Sequence, residues 1–564
     1  MRRILFVLFI LSIGNSFSQS VSKMDTLKYD YHTGGLNLDS IDLFLSKKAT
    51  LYPGSFLINP FGALGNDYCS FYERLSGKEI PLSNRTLMYT SLPHLGFMYV
   101  MGAAGSQQLQ LNYQQYFRRN VLLNLNYDRA VSTGFFRRGE FVNANFNSIL
   151  LYTGKKHRHQ FDFSFKSFNR SLNGGLISDS MLSDYGVEFV SINKRQASDS
   201  LKEFRVSDMH SYVFKQDSGF VAGISLKNSI SISKRVYLEL DSIYLRYPFY
   251  RDSFKIRDIR SFSQFSSRIS LWSESKYWDL NASLVKNFWE YRSLALQYRN
   301  ELSFDFSASF KHIRFPVNFS SYVNLIGVFK EHEFKLRMPI VSKGFRHEFL
   351  AVYAKLAPSP FQRNYWSSTL DWSILNPKLQ GLLKVSYGVV FPKFHLNLSY
   401  QDISDYYLFK SDGWQTLKDI RFLNLTSGAS FSIANLTIQP SVCVNYLSNK
   451  QAYIPLYDLR SRLFWKTKTK TSEWVIGMDV FRQAAYQLMS YNDRFSLFTL
   501  GDFENTIPFT GIDAFLSLGF DEFRFFLKME NVHYYWTDKS NLIQKGYPIT
   551  PRMMRLGMVW DFLD

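Results

Sequence analysis

A chain of 564 residues is either about three ordinary soluble domains or one unusually large fold. Aromatic residues make up 17% of it, with 53 Phe and 35 Tyr, yet the hydrophobic share is only 46%; that is too apolar for a disordered chain and too polar for a bundle of membrane helices. The 66 Lys and Arg against 47 Asp and Glu give a net charge of +19, which allows an anionic partner such as nucleic acid, lipopolysaccharide or an anionic solute, while the two cysteines, Cys69 and Cys443, lack the neighbours that a disulfide framework or a structural zinc needs.

Met1-Arg2-Arg3 precedes the apolar run Ile4 to Ile13 and the small residues Ser16 and Ser18, the layout of a secretory signal peptide spanning residues 1–18 and cut after Ser18. The apolar run is about half the ~20 residues that a spanning helix needs. Export separates the chain from cytosolic nucleic acid, so that partner is dropped. Residues 19–90 carry turn signals such as Pro53-Gly54 and Asn59-Pro60-Phe61-Gly62 with little alternation. They read as a periplasmic lead-in or as a small plug inside a barrel.

From 91 to 564 the dominant signal has period two, which in a strand sends successive side chains to opposite faces. Leu109, Leu111 and Tyr113 alternate with Gln108, Gln110 and Asn112, and Leu123, Leu125 and Tyr127 with Asn124, Asn126 and Asp128. The pattern returns at Phe161/Phe163/Phe165 against Asp162/Ser164/Lys166, at Leu302/Phe304/Phe306 against Ser303/Asp305/Ser307, and at Phe394/Leu396/Leu398 against His395/Asn397/Ser399. No stretch after the signal approaches 18 uninterrupted apolar residues, and no linker interrupts the meander. An exported chain that crosses a membrane without helices must close into a β-barrel. The expectation is therefore an all-β fold, a single transmembrane antiparallel up-and-down barrel over 91–564. Allowing roughly 26–29 residues per strand and connection gives about 16–18 strands.

The longest expected connection is Leu172–Asp208, read either as a solvated surface loop or as a segment folding into the pore. His157 and His159 share a strand face and could ligate a metal, but no carboxylate lies near them in sequence and Lys155-Lys156 would oppose a cation; a basic interfacial cluster is the plainer reading. Lys466, Lys468 and Lys470 alternate with threonines and read as an extension beyond the hydrocarbon layer. Arg314, Lys335, Arg337, Arg524, Lys528 and Arg555 fall on the parity opposite the apolar residues, hence toward a lumen, because charge on the lipid face costs ~2–4 kcal/mol at the midplane. Rings of Arg and Lys favour anions, unless acids such as Glu333 and Glu530 on the same faces neutralise them. There is no GxSxG elbow, HExxH, P-loop or Rossmann fingerprint, so the expectation is a non-enzyme with no catalytic, cofactor-binding or metal residues and no cofactor.

The closing segment, Phe523-Arg524-Phe525-Phe526 with Glu530-Asn531, then Gly546-Tyr547-Pro548 and Arg552, Arg555, Gly557, Trp560 and Phe562, resembles the last hairpin of outer-membrane barrels of Bacteroidetes, in particular their large "putative porin" family. The stretch Pro60-Phe61-Gly62-Ala63-Leu64-Gly65 and the cleavage region extend the resemblance along the chain. It implies a location in the cell outer membrane among lipid and lipopolysaccharide. It also implies assembly by the barrel assembly machinery through a C-terminal signal that includes Trp560 and Phe562. With the polar inner parity, the expected function is a porin or channel for passive diffusion of small hydrophilic solutes, with an anion preference if the basic residues stay unpaired and with homo-oligomers left open. The alternatives are a closed barrel acting as a structural or accessory partner in secretion or surface-complex assembly, and a transporter of hydrophobic compounds.

Overall fold

The alternation closes on itself. The computed structural model describes residues 93–563 apart from stretches within the connections, the longest being 178–190, 241–255, 449–454, 500–507 and 535–541. The expected signal peptide and the 19–90 segment lie outside the described residues. The strands are β1 (His94–Gly102), β2 (Gln107–Phe117), β3 (Val121–Ser132), β4 (Phe141–Thr153), β5 (His157–Leu172), β6 (Ala197–Asp217), β7 (Phe220–Glu239), β8 (Ile256–Ser275), β9 (Trp278–Arg292), β10 (Leu296–Phe310) and β11 (Val317–Ile326). They continue as β12 (His332–Ser342), β13 (Phe345–Leu356), β14 (Gln380–Phe391), β15 (Phe394–Ser404), β16 (Ile420–Ala429, prolonged by Phe431–Ile433), β17 (Leu436–Leu447), β18 (Tyr457–Lys468), β19 (Glu473–Gln483), β20 (Phe509–Phe520), β21 (Phe523–Glu530) and β22 (Met553–Leu563). Each pairs antiparallel with the next, and β22 pairs back onto β1 from His94↔Leu563 to Gly102↔Arg555. The result is a closed 22-strand antiparallel barrel, in which every strand has two neighbours and no edge is left to aggregate.

The count exceeds the 16–18 expected because the sequence estimate assumed long loops on average. At one end the strands are joined by turns as short as 218–219 and 276–277. Even at the other end, beside long connections such as 173–196, 357–379, 484–508 and 531–552, the links 103–106, 293–295 and 327–331 are brief.

Side-chain parity follows the sequence pattern. Phe165, Phe204, Ile232, Phe265, Leu284 and Leu398 point outward and are exposed, while Asn124, Asn126, Asp162, Ser303 and Ser399 point inward and are buried. An exposed apolar belt of this extent has lipid as its solvent. The inner face is not wholly polar, however. Phe481 lies directly opposite Gly511, and Phe526 directly opposite Gly557 of the closing motif. A Cβ at those glycines would stand 2.0 and 2.2 Å from the facing ring, so only glycine lets each ring lie flat on the neighbouring strand. Met98, Val100, Phe526 and Val559 pack together across the closure between β21, β22 and β1.

The expected Leu172–Asp208 loop is shorter than its composition implied. The strand β6 starts at Ala197. Asp199, Glu203, Arg205 and Ser207 are inward-facing strand residues whose polarity imitated a loop. The lysine stripe ends β18 at the short-turn end, where Lys466 faces inward and pairs with Glu473 at 2.8 Å.

Candidate functional site

Inward residues of long strands must find partners within the lumen, and two zones of different character result. Toward the end with long connections the lumen is filled by buried ion pairs. Asp199 on β6 accepts from Arg170 on β5 at 3.1 Å and from Arg235 on β7 at 2.6 and 2.8 Å, with all three side chains 3–4% exposed. Lys194, from the 173–196 connection, donates to the Tyr237 hydroxyl at 2.9 Å and lies 3.5 Å from Glu239. That connection therefore starts and ends folded against the inner wall, with Leu176 and Ile192 bridged and buried, rather than in solvent.

Three further connections are tied down the same way. Arg494, from 484–508, lies 3.6 Å from Asp258 of β8, and its carbonyl accepts from Arg260 at 2.6 Å. Ala357, at the start of 357–379, donates its N–H to Glu331 at 2.8 Å, and Glu331 also faces Arg299 at 3.7 Å. Arg363 of the same connection stacks over Trp289 and Phe329, the two rings that Arg299 also covers; burial, and secondarily the nearby Arg299, lowers Arg363 to about 10. Asn531, after β21, donates its N–H to Asp513 at 2.9 Å. The connections 405–419 and 484–508 are joined in one small sheet, with Phe409 paired to Thr499.

Toward the short turns the lumen opens. A cavity of about 750 Å³ is lined by Lys155, Arg158, Ser211, Asn281, Lys335 and Arg337 among others, and one of about 560 Å³ by residues that include Lys393, His395, Arg460 and Arg462. Lys335 on β12 and Lys384 on β14 both face inward, one on each side of Val352, in a row that continues to Ser320 and Gln401.

The basic residues singled out in the sequence separate into three groups. Arg337 pairs with Glu348 at 2.7 Å, Arg524 with Glu473 at 2.9 Å, Lys528 with Asp513 at 3.4 Å and Glu530 at 3.6 Å, and Arg555 with Glu530 at 3.2 Å. Lys335 has no acidic partner among the described residues, and neither has Lys384, which sequence reading missed because its strand alternates weakly. Arg314 lies outside the described residues. Trp560 and Phe562 face outward on the closing strand with their rings 5.6 Å apart, while Arg555 and Gly557 face in.

The fold is shared with solved structures at low identity. The siderophore receptor PirA from Acinetobacter baumannii matches with a TM-score of 0.60 at 11% identity over 85% of this chain and 81% of that one. The copper transporter OprC gives 0.60 at 10%, over 85% and 82%. The FrpB iron transporter from Neisseria meningitidis gives 0.60 at 12%, over 84% and 82%. No curated protein matches the chain. The family described as "Putative porin" matches residues 61–564, the whole of the chain beyond its first sixty residues, and the protein belongs to that family, whose barrel implies an outer-membrane protein.

Proposed function

We propose that the protein passes small hydrophilic solutes across the outer membrane by diffusion, favouring anions, through a lumen that is open toward the periplasm and narrowed at the outer mouth. The observation that carries this reading is the inner wall at mid-strand, where Lys335 and Lys384 stand without acidic partners among the described residues, beside Ser320 and Gln401. Short turns mark the periplasmic side in barrels of this kind. Two unpaired ammonium groups at a wet wall stabilise an entering anion and repel a cation without holding either tightly, which is what conduction requires. A 22-strand wall encloses more space than a porin of 16–18 strands and belongs to the size class whose lumen is plugged. Residues 19–90 enter the proposal as that plug.

The test is Lys335→Glu combined with Lys384→Glu in the folded chain, read as the reversal potential across a bilayer under a salt gradient. The expected result is a change of sign, from anion to cation preference. An unchanged reversal potential would overturn the role of this wall. The second reading, a closed barrel serving surface-complex assembly, is favoured by the buried pairs that hold four connections across the outer mouth.

A further inference from the structure

Strand pairing places His159 of β5 directly opposite His210 of β6, and Asp208 two residues before His210 lies on the same face. Cross-strand partners have Cβ atoms about 4.5–5.5 Å apart, and residues i and i+2 share a face, so these three positions triangulate one point on the sheet. The imidazoles stack with centroids 4.2 Å apart and planes 6° from parallel. Both Nε2 atoms converge on the one carboxylate, His159 at 2.5 Å and His210 at 2.8 Å, and the three candidate ligand atoms all lie within 4.8 Å of one another. The site faces outward, on the parity of the exposed Phe204 and Tyr212, close to the short turn 154–156. His157, the residue that shares His159's face in sequence, is not part of it and packs against Tyr212 instead, at 5.0 Å.

We infer that His159, Asp208 and His210 form a binding site for a divalent transition metal of the Zn²⁺ class on the outer wall of the barrel. The donor set, two imidazole nitrogens and one carboxylate oxygen, is the type that zinc and its neighbours prefer over magnesium or calcium. A metal at ~2.0–2.2 Å from each donor takes the place of the contacts that the two imidazoles now make with the carboxylate. Three protein ligands leave a coordination position open, and it faces away from the barrel toward the interfacial layer of the bilayer. The sequence singled out one of the three ligands, His159, beside His157, which is not one; the carboxylate and second imidazole come from 49 residues or more further on and only pairing of β5 with β6 brings them in.

The experiment is calorimetric titration of ZnCl₂ into the full chain folded in detergent, beside Asp208→Asn, His210→Asn and His157→Asn, with Co²⁺ absorption as a second readout of coordination. The expected result is one Zn²⁺ site, weakened by roughly 100-fold or more in Asp208→Asn and His210→Asn, since even outer-shell changes cost 10–100-fold. His157→Asn leaves it within a factor of about two, because His157 supplies no ligand. A retained compact mobility in cold SDS shows that each variant is folded. Absence of Zn²⁺ binding by the folded chain, or an affinity that the two ligand substitutions leave unchanged, would overturn the assignment.

Discussion

Replacing Asp199 by Ala is expected to destabilise the folded barrel by about 3–5 kcal/mol, the cost of leaving buried charges without their partner. The single carboxylate is shared between Arg170 and Arg235, from the two flanking strands, and all three groups are almost fully buried. Removing it leaves two buried guanidiniums close together without the carboxylate that neutralises both. Urea titration of the chain refolded into lipid vesicles reads the loss as a lower midpoint. The triple change Arg170→Met, Asp199→Leu, Arg235→Met is expected to recover most of it, because an apolar set of similar volume has no charge to desolvate. Equal losses in the single and triple variants would mean that the ion pairs contribute specificity of packing rather than charge compensation.

The second large effect concerns conduction. Asp258 holds Arg260 and Arg494, and Glu331 holds Arg299 and the backbone of Ala357, so two acids fasten two of the four inward connections. Asp258→Asn with Glu331→Gln keeps the shape of both side chains while removing the charge that each arginine answers. The 357–379 and 484–508 connections then lose the charged part of their anchorage on the wall, and the outer mouth widens. The expected outcome is a severalfold rise in single-channel conductance, with more frequent open-state fluctuations, in a barrel that still folds. Unchanged conductance would place the narrowest point elsewhere, toward the short turns.

The sequence made the strands legible because parity is local. Phe161, Phe163 and Phe165 against Asp162, Ser164 and Lys166 already state which side meets lipid, and the fold agrees. What the sequence did not display is register across strands. Arg524 and Lys335 share the same pattern, yet Arg524 finds Glu473, 51 residues away, and Lys335 finds no acid among the described residues. For the same reason the polar stretch from Asp199 to Ser207 resembled a loop. The charge of Asp199 is answered by Arg170, 29 residues before it, and by Arg235, 36 residues after it. The strand count failed differently, through an assumed mean loop length that a barrel with one end of tight turns does not have. The inward aromatics over Gly511 and Gly557 interrupt the alternation, as in Phe525-Phe526-Leu527, but only pairing reveals that each ring needs a glycine opposite.

Single-channel recording of the folded chain in a planar bilayer, under a salt gradient, reads directly whether the lumen conducts and which ion it favours. The expected result is stable steps with a reversal potential of anionic sign, and larger steps when residues 19–90 are deleted. A correctly folded barrel that stays silent in both forms, or that conducts cations in preference, would contradict it.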